Sequence, residues 1–234
     1  LGISVDTVWQ YTRTGRIPAH RLSQQYLYDP EAVAQALSQE VESSESSHAG
    51  ISTHKRPFTY QDYLKLPDDG YRYQILDGIL VKEPAPYVQH QRVSKRLERT
   101  LDNYFAKVDP DGEVLDAPVD VTLSDIDVVQ PDLLYVSSQE TSIIEERRIN
   151  GPPHLVVEIV SPSSATRDRV TKRALYERSQ VPHYWIVDYE NETIECYALH
   201  DGRYKLRSAA SGSEVLKHPD FPGLRIDLEG IWRK

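Results

Sequence analysis

The run His154–Val160, HLVVEIV, constrains this chain more than any other segment. Its apolar residues do not alternate with polar ones, so a strand built from it must be covered on both faces, as inside a sheet flanked by helices. Glu158 lies towards the end of that run. A carboxylate there is costly unless a metal cation or a basic side chain pairs with it. The next segment, Thr166–Ser179, suits a packed helix with Val170, Ala174 and Leu175 on its buried side. Asp168 and Lys172 stand four residues apart in it and therefore share a face. The short SPSSAT connection turns that helix back towards Glu158. A second acid, Asp132, follows Pro131 in another β-rich run. Two carboxylates, a lysine and a cation thus come within reach of one another.

Further strands are expected at Glu113–Leu123, Val128–Val136 and Tyr184–Asp188. A meander over Thr193–Leu199 and Tyr204–Ser208 joins across Asp201-Gly202. In YRYQILDGILVK, Asp77-Gly78 sits between two β-rich runs and signals a hairpin, with Asp77 as a turn residue. A short amphipathic segment covers Tyr60–Leu66. The spacing predicts a helix over His90–Lys107, with Val93, Leu97, Leu101 and Tyr104 facing inward. Arg92, Lys95, Arg96 and Arg99 recur on another face of it. That stripe is either a track for a nucleic-acid backbone or a solvated face. Strands alternating with helices make an α/β fold with a mixed sheet the natural architecture.

The chain has 234 residues, 39% of them apolar, which excludes a wholly disordered protein. Its apolar stretches fall far short of the roughly 20 residues that span a bilayer, so no membrane partner is expected. No leader peptide is visible at Leu1, and the single cysteine, Cys196, excludes an intramolecular disulfide and a Cys-based zinc site. A cytoplasmic setting is the expectation. The net charge of −9 argues against wholesale attraction to polyanions, which must meet local basic patches. A Ser/Glu-rich stretch at 41–55 reads as a flexible linker between a small piece, 1–40, and a larger domain, 56–234.

Within the larger piece, Pro131-Asp132, then LVVEIVSPSS, then RDRVTKRALYE, then VPHYWIVD follow in order. From about Phe58 to Leu206, with the Asp77-Gly78 hairpin and His90, the chain resembles the Uma-two family of restriction-endonuclease-like proteins, a branch of the PD-(D/E)XK nuclease superfamily. The resemblance implies a restriction-endonuclease-like core that hydrolyses phosphodiester bonds in DNA with magnesium or manganese. Asp132 and Glu158 would hold the ion together with the backbone carbonyl of Ile159, and the ion would acidify a water and stabilise charge on the phosphate. Lys172 would act electrostatically, since the superfamily's lysine position two residues after the glutamate is Val160 here. Gln74 replaces a glutamate common in the family's hairpin, which would weaken a second ion. Accessory roles fall to Gln74, to His90 as a phosphate or metal contact or a helix cap, and to Asp168 as the orienter of Lys172. The bland readings are a structural pairing of Glu158 with Arg167 or Lys172, and an ordinary surface pair for Asp168 and Lys172.

The N-terminal piece, LGISVDTVWQYTRTGRIPAHRL onward, resembles the second half of a MerR- or excisionase-type helix-turn-helix. It would form a small helical module with a helix after Ser4, a turn-back over Arg16–Tyr28, and a second helix opening at Asp29-Pro30. Thr7, Gln10 and Arg13 would face the major groove, and Arg16 and Arg21 would meet phosphates. A homodimer would supply the two centres that double-strand cutting needs. Two other classes remain open from the sequence. One is a catalytically weak DNA-binding regulator or mobile-element accessory protein that retains the nuclease fold, favoured by Gln74. The other is a phosphodiesterase acting on RNA or a small nucleotide.

Overall fold

The computed structural model describes residues 19–22, 25–28, 56–83, 85–161, 164–165 and 167–233. The chain divides into two compact units, 1–55 and 56–234. In the first, β1 (Ala19–Leu22) and β2 (Gln25–Tyr28) pair antiparallel, within the stretch expected to turn back in extended form. Arg21 lies on β1. Thr7, Gln10, Arg13, Arg16, both expected N-terminal helices and the 41–55 linker lie outside the described residues.

The second unit opens with a single helical turn, α1 (Tyr60–Tyr63), and the hairpin β3 (Arg72–Leu76) and β4 (Ile79–Glu83). The turn is Asp77-Gly78, both at positive φ, and a Cβ on Gly78 would run into Pro57. The long helix α2 (Val88–Val108) follows. Then come β5 (Glu113–Asp116), β6 (Val121–Ser124), β7 (Asp127–Val129), β8 (Leu133–Val136) and the two-residue β9 (Ile149–Asn150). β10 (Leu155–Val160) leads into a π-helical turn, Arg167–Lys172, and α3 (Arg173–Arg178). The chain finishes with β11 (His183–Asp188), β12 (Thr193–His200), β13 (Arg203–Ser211), β14 (Val215–Lys217), β15 (Arg225–Asp227) and α4 (Leu228–Trp232).

These strands build two main sheets. The larger has the order β13-β12-β11-β10-β8-β5, and the smaller β4-β3-β7-β6-β9. β10 and β11 are parallel, joined through the π turn and α3, while β8 and β12 flank them antiparallel, so the sheet is mixed. Two stretches expected as single strands are each divided between the sheets. Val128–Val136 becomes β7 in the smaller sheet and β8 in the larger, with Gln130-Pro131-Asp132 between them. Glu113–Leu123 becomes β5 and β6, with Pro118 in the gap. Proline has no N–H to give a ladder, so the chain leaves one sheet at each proline and joins the other.

β10 is buried along its whole length, as its apolar run requires. Its alternate residues face opposite cores. Leu155, Val157 and Ile159 pack with Val93, Leu97, Leu101 and Phe105 of α2 and with α4. Val156 and Val160 pack on the other face with Leu134, Leu175, Tyr176 and Tyr184. Glu158, in phase with Val156 and Val160, points to that second face. The segment after β10 departs from the expected packing: Val170 is 64% exposed and Ala174 is exposed. Asp168, Lys172, Leu175 and Tyr176, at steps of i, i+4, i+7 and i+8, form its buried side instead, opposite Val170 and Ala174.

Leu97 is fully buried at the centre of the α2 core. Leu97→Ala should cost about 2–5 kcal/mol in urea unfolding, whereas Ile79→Ala, on the exposed face of β4, should fall within about 0.5 kcal/mol of the parent.

Candidate active site

Glu158 is 3% exposed and Asp132 6%, and both line one partly open cavity of about 70 Å³. His90, Asp168, Lys172, Ile159, Arg72, Glu83 and Arg167 line it too. Five elements converge there: β3, β4, the start of α2, the end of β10 and the π turn, with Asp132 entering from the β7–β8 corner.

Oδ2 of Asp132 accepts the Ile159 backbone N–H at 2.8 Å and lies 3.1 Å from His90 Nε2. A carboxylate only accepts, so the imidazole hydrogen sits on Nε2. Oδ1 is left with Arg72 Nη1 at 3.5 Å. Burial opposes ionisation of Asp132, but His90, Arg72 and the Ile159 amide outweigh it and hold the carboxyl below its usual range. Glu158 is gripped differently. Tyr176 Oη donates to Oε1 at 2.7 Å and Lys172 Nζ to Oε2 at 3.0 Å. Lys172 Nζ also lies 3.5 Å from Asp168 Oδ1, an oxygen with no hydrogen-bond partner among the described residues.

Burial pushes the Glu158 carboxyl up to about 8; Lys172 draws it down, while Asp168 and Asp132 add to the rise. Burial alone would lower Lys172, yet Glu158, Asp168, Glu83 and Asp132 reverse the sign and hold it above the usual lysine value. The cavity offers hard carboxylate oxygens, one of them unpartnered, which suits a magnesium- or manganese-like cation.

The structure brings together Asp132, Glu158, Lys172, Ile159, His90 and Asp168. The two side chains of the Asp168–Lys172 pair are both buried, so it is no surface pair. His90 is the third residue of α2, not its cap, since the helix begins at Val88 after Tyr87. Arg167 pairs with Glu83 at 2.5 Å. Gln74 is fully buried outside the cavity lining, its Oε1 accepting the Gln130 N–H at 3.2 Å. On α2, Arg92, Lys95 and Arg99 are exposed. Arg96 leaves the expected stripe, because its guanidinium caps the carbonyls of Ile231 and Arg233 at the end of α4.

Sequence reasoning passed over Tyr176, Glu83 and Arg72. Tyr176 carried a readable signal, four residues after Lys172 on the face already tied to Glu158. Glu83 and Arg72 carried none, since their place depends on how the hairpin docks against segments far along the chain. A separate group, His183, His218 and Asp220, has donor atoms within 4.8 Å of one another. Its Asp220 carboxylate is held by Arg207 at 2.6 and 3.0 Å, and the Asp220 N–H donates to His218 Nδ1. Burial lowers both imidazoles, to about 3 and about 4.

Residues 60–229 match the Uma2 family, described as “Putative restriction endonuclease”. No curated protein matches the sequence. Among solved structures, a crystal structure from Anabaena variabilis, described as “a putative nuclease belonging to DUF820”, superposes with a TM-score of 0.61 at 15% identity, covering 75% of this chain and 98% of that one. At that identity the likeness is one of fold.

Lys172→Met leaves the Glu158 and Asp168 carboxyls buried without their cation. It should destabilise the protein by about 3–5 kcal/mol in chemical denaturation, where an idle surface pair would cost less than about 1 kcal/mol.

Proposed function

The chain belongs to the Uma2 family, and from that premise we propose that it is a divalent-metal-dependent endonuclease hydrolysing phosphodiester bonds in DNA in the cytoplasm. The observation that carries this reading is the convergence of Asp132, Glu158 and Lys172, from three separate segments, on one cavity. Asp132 offers Oδ1, because Oδ2 already accepts from Ile159 and meets His90. In extended backbone a residue's carbonyl projects from the same strand edge as its N–H, so the Ile159 carbonyl points to the Asp132 side. Asp132, Glu158 and that carbonyl would hold the ion. Magnesium or manganese, when bound, supplies positive charge to the attacking water and the scissile phosphate.

Lys172 stays protonated at neutral pH, since its carboxylate neighbours raise its pKa. It therefore does not abstract the proton of the attacking water. It orients Glu158 and neutralises negative charge developing on the phosphate, with Asp168 steadying its ammonium group. His90 fixes the rotation of the Asp132 carboxylate, and Tyr176 fixes that of Glu158. Four carboxyl groups line the cavity against the cations Arg72, Arg167 and Lys172. Fully ionised, that set carries one excess negative charge; a single divalent ion reverses the sign, and one phosphodiester restores neutrality. The charge balance favours one ion over two. A homodimer supplies a second centre for the second strand.

The alternative reading, a nuclease fold kept for DNA binding, draws on Gln74, an uncharged amide where the family's hairpin commonly carries a glutamate. Plasmid nicking separates the two. The parent should cut with magnesium or manganese and stop in chelator. Glu158→Gln and Asp132→Asn should each slow it by about a hundredfold or more. Equal rates in parent and variants would remove the catalytic assignment, and a parent that binds DNA without cutting it would favour the binding reading.

A further inference from the structure

The outer wall of the same cavity holds a group that no catalytic role has absorbed. Glu83, on β4, is 8% exposed and sits between two arginines. Arg72, its direct cross-strand partner on β3, lies at 3.6 Å, and Arg167, the first residue of the π turn, at 2.5 Å. All three line the cavity. One carboxylate cannot satisfy two guanidinium forks, and the Nε of each arginine is buried with no hydrogen-bond partner among the described residues. A purely structural ion pair needs one arginine. Here Arg72 divides its charge between Glu83 and Asp132 at 3.5–3.6 Å, so a cation that engages Asp132 leaves two arginines facing the single carboxylate of Glu83.

We propose that Arg72 and Arg167 form a clamp for a phosphate of the nucleic-acid backbone next to the scissile bond, with Glu83 as the built-in competitor that holds both arginines until the phosphate arrives. This rests on the nuclease reading of the cavity and assigns the substrate-positioning residues within it. A guanidinium pairs with phosphate through two parallel N–H bonds, so two of them flanking one anion give position as well as charge. Glu83 keeps the two forks ordered in the free protein, and its displacement by an incoming phosphate leaves the pair intact. Lysine, a point charge, would not substitute fully.

The test uses the full chain and two probes measured separately: inorganic phosphate in chelator, followed by phosphorus NMR line broadening, and manganese alone, followed by electron paramagnetic resonance. Arg72→Gln and Arg167→Gln should each weaken phosphate binding by about tenfold and leave manganese affinity unchanged or tighter, since each removes a cation beside the acids. Glu83→Gln should strengthen phosphate binding, because the competitor is gone. If a glutamine variant does not fold, the lysine variant keeps the charge without the fork and should show an intermediate loss. Phosphate affinity equal in parent and variants, with melting temperature lowered in each, would make the three residues a structural triad and overturn the clamp. A tenfold loss of manganese affinity in Glu83→Gln would make Glu83 a metal ligand and overturn it equally. A parent that binds no manganese would sink the nuclease reading alone, and the phosphate series would still decide the clamp.

Discussion

Burying Glu158 inside β10 is the constraint on which the rest of the site depends. The strand is sealed on both faces, and its alternation aims the carboxyl to the face whose core includes Val156, Val160, Leu175 and Tyr184. Lys172 and Tyr176 reach it from the helical segment after β10, where four-residue steps put Asp168, Lys172 and Tyr176 on one buried side. A buried ion pair of this kind gains little stability over apolar packing of the same volume, because desolvation of both charges consumes most of the Coulombic attraction. Such a cluster therefore speaks for chemistry more than for stability.

The division of the strands between two sheets does the complementary work. Pro131 ends the smaller sheet's claim on the chain, and Asp132 lands at the corner where β7 gives way to β8. There it meets the edge of β10 at the Ile159 amide and the first turn of α2 at His90. The hairpin β3–β4 lies on the smaller sheet and brings Arg72 and Glu83 to the same cavity. Asp132 is thus held by groups from elements distant in sequence, and Glu158 by the helical segment that follows its own strand.

Much of this was legible in the residues. The apolar continuity of HLVVEIV foretold a fully buried strand, the Asp77-Gly78 pair a hairpin, and the four-residue spacing of Asp168 and Lys172 a shared face. What was hidden had tertiary causes. Val170 and Ala174 read as packing residues because they are apolar, yet the fold buries the opposite face, which carries Asp168 and Lys172, and leaves them in solvent. Val128–Val136 reads as one strand because its β-rich residues continue through Pro131, and only pairing reveals two sheets. Arg96 reads as one member of a basic stripe until α4 folds over it. Gln74 sits at a suggestive position in the hairpin, yet its amide oxygen is taken by the Gln130 backbone and the side chain does not line the cavity.

Two donor sets in this chain differ in chemistry: the oxygen-rich cavity around Asp132 and Glu158, and the imidazole-containing group of His183, His218 and Asp220. Anomalous diffraction from manganese-soaked crystals tells them apart directly. An ion is expected within coordination distance of Asp132 and Glu158, on the Ile159 side of the cavity. A cavity without manganese, with the ion at the imidazole group or nowhere in the second unit, would contradict it.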